Sequence, residues 1–82
     1  MIKESSVDLS VGDLVKISPR PPAMFETAHA RNLSTTHVVE LPKGTLGILL
    51  SLHGEVHRRA HVLIGGQLYE TYYDNIEQHR DT

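Results

Sequence analysis

The chain has 82 residues, with Lys+Arg 8 against Asp+Glu 10 and no cysteine. That length holds one domain, and the missing cysteine excludes disulfide staples, thiolate nucleophiles and Cys-type zinc or iron–sulfur sites. Charge is spread evenly, four basic and five acidic groups in residues 1–41 and the same in residues 42–82, so neither half is a basic tail, and "HRRAH" is the one local hint of the concentrated positive face that a phosphate-backbone binder normally has.

Residues 1–10, "MIKESSVDLS", read as an N-terminal arm without the hydrophobic core of a secretory signal. Gly12-Asp13 is a turn signal, and in "VGDLVKIS" Val15 and Ile17 alternate with Lys16 and Ser18 at strand period. "PRPP" cannot continue a hydrogen-bonded ladder, so this strand stops at Ser18. Residues 19–35 show little β pattern and read as one long loop, of a length that is usually functional. "THVVEL" resumes strand character up to Pro42, and "PKG" turns the chain. In "TLGILLSL" the residues Leu46, Ile48, Leu50 and Leu52 share one face, with Gly47 on the other, where a side chain would obstruct a close neighbour or a bend. The longest apolar run, Ile48-Leu49-Leu50, is far short of the ~20 residues a membrane span needs.

The next stretch, "EVHRRAHVLIGGQLYETYY", fits either a helix or a hairpin. Val56, Ala60, Leu63 and Ile64 fall at helical spacing with Gly65 as a cap. Three features favour the hairpin. Val62 and Ile64 are β-branched, Gly65-Gly66 between two apolar runs signals a two-residue turn, and the register that turn imposes makes chemical sense. It opposes Ile64 to Gln67, Leu63 to Leu68, Val62 to Tyr69, His61 to Glu70, Ala60 to Thr71, Arg59 to Tyr72 and Arg58 to Tyr73. Pairs such as His61–Glu70 and Arg59–Tyr72 contribute roughly 0.2–1 kcal/mol each. "YDNIE" then reads as a short 3-10 turn with Ile76 folding back onto the core, and residues 78–82 as a tail. The expected core is Val15, Ile17, Leu46, Ile48, Leu50, Val62, Ile64, Tyr69 and Ile76.

The order is strand, long loop, strand, Gly-x-x-Gly strand, strand, tight hairpin, strand and turn: an all-β fold of about five strands. "VGDLVKI", "LPKGTLGILLSL" and "VLIGGQLYETYYDNIE", together about half the chain, resemble an SH3-like barrel of the KOW type. Within that fold the combination is similar to small SH3-like proteins encoded by tailed bacteriophages, some of them virion components. "GDLVKI", "AHAR", "KGTLGIL" and "LHGEV" also resemble, in order, the SH3-like accessory group of the nitrile hydratase β subunit and the ferredoxin–thioredoxin reductase variable chain. These resemblances imply a non-catalytic module of a virion or the host cytoplasm. The alternatives are an accessory subunit of a metalloenzyme or redox complex, or an RNA-binding KOW-like module.

The residues support that implication. Six histidines invite a metal, and His57 with His61 gives H-x-x-x-H, which would chelate on a helix. On a strand those side chains stand ~13 Å apart, too far for nitrogens each ~2 Å from one ion, so no metal ligand set and no cofactor is expected. His57, Arg59, His61, Glu70 and Tyr72 instead form a polar patch. No nucleophile–base motif or phosphate-cradling loop is present, and so small a barrel has no interior pocket, which argues against an enzyme or a small-molecule substrate. "HRRAH" beside the tyrosines could serve RNA, but Glu55, Glu70 and Asp74 lie close by. With no staple, a core this small is usually completed by copies of itself or a larger protein partner. The expected interface draws on the loop and the outward leucines: Met24, Phe25, His29, Arg31, Leu49, Leu63 and Leu68, with Leu14 also on an outward face.

Overall fold

The computed structural model describes residues 9–19, 25–54 and 58–79. Among these residues seven strands form one curled antiparallel sheet: β1 (Leu14–Ile17), β2 (Thr27–Asn32), β3 (Val38–Pro42), β4 (Leu46–His53), β5 (Arg59–Ile64), β6 (Gln67–Tyr72) and β7 (Ile76–Gln78). Their order across the sheet is β3-β2-β6-β5-β4-β1-β7, so β3 and β7 are its free edges and the barrel is half closed. A 3-10 turn, Tyr73–Asn75, links β6 to β7. Among the described residues no helix is long and apolar enough to cross a membrane.

The hairpin is the fold's best-specified element. Gly65 and Gly66 both have positive φ, 57° and 81°, the twist that suits a two-residue turn between right-twisted strands. The observed register, from Ile64↔Gln67 to Arg59↔Tyr72, is the one expected from the paired glycines. Beyond it, the Tyr73 N–H donates to the Arg58 carbonyl at 2.9 Å, and the Arg58 guanidinium lies 4.4 Å from the centre of the Tyr73 ring.

Two strands exceed the expected five. Thr27–Asn32 lies inside what reads as a loop over residues 19–35, and it pairs with both β3 and β6. Its burial alternates strictly, with Ala28, Ala30 and Asn32 inward. The inward positions carry small or polar side chains, so a search for alternating large apolar residues passes over it. Asn32 is buried yet satisfied: its Oδ1 accepts from the Ser34 and Thr35 N–H groups, and its Nδ2 donates to Gln67. The second addition, β7, runs antiparallel to β1 with Val15↔Gln78, which takes Gln78 out of the expected tail.

The core lies inside the curl. Val15, Ile17, Ala28, Ala30, Leu41, Leu49, Ala60, Val62 and Ile76 are buried, with Leu9, Val39, Leu52, Ile64 and Tyr69 packed against them. Val15, Ile17, Val62 and Ile76 take their expected places, and Ile64 and Tyr69 contribute at its margin.

Strand β4 departs from expectation. Leu46, Ile48 and Leu50 are 45%, 41% and 41% exposed, whereas Leu49 is fully buried. Gly47 decides this. A Cβ there would stand 2.6 Å from Cγ1 of both Ile64 and Val62 and 2.8 Å from the Leu63 carbonyl oxygen. Gly47 therefore faces into the crowded interior, and Leu49, two residues on, follows it inward. A bulge then resets the alternation. Leu49 pairs with Val62 and Ser51 with His61, so β4 advances two residues while β5 advances one. Leu50 is the extra residue, and Leu52 returns inward opposite buried Ala60.

This arrangement predicts unequal costs at adjacent leucines. Leu49→Ala should destabilise the fold by about 2–5 kcal/mol through loss of packing and a residual cavity. Leu50→Ala should stay within about 0.5 kcal/mol, as surface substitutions do. Urea unfolding of the two variants measures the difference; equal costs would place both leucines on the same side.

Candidate functional site

The outer face of the central strands divides along their length. Register sets Leu14 of β1 beside Ile48 of β4, Ile48 beside Leu63 of β5, and Leu63 beside Leu68 of β6. Directly opposed residues share a face, so these four form one apolar row across four strands. Leu14 and Ile48 are exposed, Leu63 and Leu68 half-buried, and Leu46 and Leu50, which flank Ile48 on β4, are exposed. Leu14, Leu63 and Leu68 thus face outward as expected. Leu49 does not, because the inward parity set at Gly47 buries it, and Ile48 occupies the position assigned to it.

One residue pair further along each strand, the outer face becomes polar. Ser51↔His61 and His61↔Glu70 are cross-strand partners, as are His53↔Arg59 and Arg59↔Tyr72, and Arg31 of β2 opposes Glu70. His61 is central. Its Nδ1 lies 3.1 Å from Ser51 Oγ, while its Nε2 lies 3.1 Å from Glu70 Oε2 and 3.2 Å from His53 Nε2. The His53 and His61 rings meet edge-on, with centroids 4.3 Å apart. The Arg59 guanidinium sits 5.7 Å from the Tyr72 ring centre.

Two shallow clefts adjoin this cluster. One, of about 230 Å³, is lined by His53, Gly54, Arg59 and Glu70. The other, of about 250 Å³, runs toward β2 and β3 past His29, Arg31, Val38 and Tyr72. Ser51, His61 and Glu70 follow one another as a nucleophile, base and carboxylate would. Ser51 lines neither cleft, however, and its hydroxyl meets Nδ1 while the carboxylate shares Nε2 with His53.

Sequence reasoning brought together Arg59, His61, Glu70 and Tyr72, and the structure gathers the same four on one face. Met24 and His57 lie outside the described residues. Phe25 is 47% exposed just before β2, and His29 and Arg31 point outward from β2 toward the larger cleft. His29 also pairs with Glu40 at 3.5 Å across the β2–β3 ladder. The residues missed were His53, Ser51, Ile48, Leu46 and Leu50. The hairpin register already placed Glu70 beside His61, so the flank awaiting identification was β4; the bulge concealed which β4 residues occupy it.

No protein-family model, curated protein or solved structure matches the chain.

Glu70 is the carboxylate that His53 and His61 share, and it lies opposite Arg31 in the β2–β6 register. Glu70→Gln keeps the side chain's shape and removes that charge. Cross-strand charge pairs contribute roughly 0.2–1 kcal/mol each, so with the imidazoles protonated the variant should be less stable by about 1 kcal/mol at low salt. The deficit should shrink in 1 M salt, where screening shortens to about 3 Å. Thermal melts at two salt concentrations check this.

Proposed function

We propose that this chain is a non-catalytic assembly module, SH3-like in architecture, that self-associates through the outer apolar row of β1, β4, β5 and β6. The single observation behind this reading is the side-by-side placement of Leu14, Ile48, Leu63 and Leu68, widened by Leu46 and Leu50. Isolated exposed leucines are ordinary on a soluble surface, whereas a contiguous patch marks a contact site.

The core supplies the second reason. Among the described residues, three of the nine buried hydrophobic ones are alanines, so much of that interior is built from side chains that bury little apolar area. No disulfide compensates. A second copy offers the same row, and a two-fold axis through it would set Ile48 and Leu63 against their counterparts. The order of strands and the closing hairpin support the SH3-like description. The sequence resemblance to small tailed-phage proteins supports a virion component assembled in the host cytoplasm, where repeated copies are the rule.

Mass by light scattering should return a multiple of the 9.2 kDa chain, and Ile48→Glu or Leu63→Glu should reduce it to one copy. His29→Glu, outside the row, should leave the mass unchanged. A single-chain mass for the unaltered protein at millimolar concentration would refute the reading.

A further inference from the structure

We propose that His53, His61 and Glu70 form a binding site for a divalent transition-metal ion, zinc being the ion their ligand chemistry suits best. Three ligand atoms from three adjacent strands converge: His53 Nε2, His61 Nε2 and Glu70 Oε2, separated by 3.2, 3.1 and 3.9 Å. A point equidistant from atoms with those spacings lies about 2.0 Å from each, which is the bond length zinc makes with imidazole nitrogen and carboxylate oxygen. The spacings thus match zinc's bond lengths, and drawing His53 and Glu70, the widest-spaced pair, a few tenths of an ångström closer together would lift the ion out of their plane toward tetrahedral geometry. Two imidazoles and one carboxylate also form a set that zinc and neighbouring divalent metals accept, while calcium and magnesium prefer oxygen alone.

Hydrogen bonding without an ion leaves this arrangement incomplete. His61 Nε2 is within reach of both His53 Nε2 and Glu70 Oε2, but a neutral imidazole carries at most one proton there. One hydrogen could serve both neighbours only as a bent, weaker three-centre bond. A cation at their centre takes a lone pair from each.

The second nitrogen of His61 supports the same assignment. Ser51 Oγ stands 3.1 Å from Nδ1 and can accept its proton, which leaves Nε2 free to bind metal. Ligating histidines are commonly anchored in this way through their other ring nitrogen. Ser51 is thus a positioning residue.

The β4 bulge makes the site possible. Were Leu50 paired in a regular ladder instead of bulged, His53 would share the inward parity of Leu49, away from His61. With the bulge, His53 turns outward and meets His61 and Glu70. Bulges often re-aim a side chain at a site. The adjoining cleft, lined by Gly54 and Arg59 as well as by the two ligands His53 and Glu70, leaves room for a fourth ligand. The guanidinium there favours an anionic one, hydroxide or a carboxylate, over neutral water. Bound metal would tie β4, β5 and β6 together across the bulge.

This inference is independent of the apolar row, so a single-chain mass would leave it standing. The test is titration of chelator-stripped full chain with zinc against a chromophoric competitor, with cobalt as the spectroscopic probe. One equivalent should bind, intense cobalt absorption should report four-coordination, and the melting temperature should rise with zinc concentration. His53→Ala and Glu70→Gln should each weaken zinc binding at least tenfold, and Ser51→Ala by about 10–100-fold. His29→Ala and His37→Ala should leave it unchanged. Circular dichroism confirms that the variants fold, and the cobalt spectrum of the unaltered chain needs no variant. Absence of zinc binding at millimolar metal would overturn the proposal, as would equal affinity in His53→Ala and Glu70→Gln.

Discussion

One additional residue in β4 governs how this sheet presents itself. Up to Leu49 the strand keeps the parity imposed by Gly47, whose missing side chain lets Val62, Ile64 and the Leu63 carbonyl approach closely. Past Leu50 the parity is reversed, because two residues of β4 are spent against one of β5. Side chains alternate across a strand, so a shift of one residue exchanges its two faces. Leu52 is thereby returned to the core and His53 to the surface.

The outer face inherits its division from that event. Before the bulge β4 shows Leu46, Ile48 and then Leu50 to solvent, and these extend the row that Leu14, Leu63 and Leu68 define. After it the strand presents Ser51 and His53 to the polar partners His61 and Glu70. Apolar association and metal coordination make opposite demands on hydration. The first needs water expelled from a broad surface, and the second tolerates solvent beside a few fixed atoms. Successive stretches of the same strands would let the two proposed sites coexist on so small a chain.

Much of the architecture is legible because it rests on local rules. Paired glycines between β-branched runs specify a hairpin whose register follows from the turn alone, and the opposed pairs from Ile64–Gln67 to Arg59–Tyr72 are those observed. Strand β2 was hidden for a compositional reason. Its inward residues, Ala28, Ala30 and Asn32, are small or polar, and they are buried because neighbouring strands close over them. The strict small–large alternation of "AHARN" was the available signal.

The amino-acid sequence by itself determined the all-β class, the closing hairpin with its register, the 3-10 turn and the meeting of His61 with Glu70. Each follows from interactions between residues near one another along the chain. Only the tertiary structure decided which face of β4 is interior, that Leu49 is core while Ile48 is surface, and that His53 rather than a neighbour along β5 approaches His61. Those outcomes depend on how tightly β5 packs over Gly47 and where β4 takes up its extra residue. Alternation alone is satisfied equally well by either face.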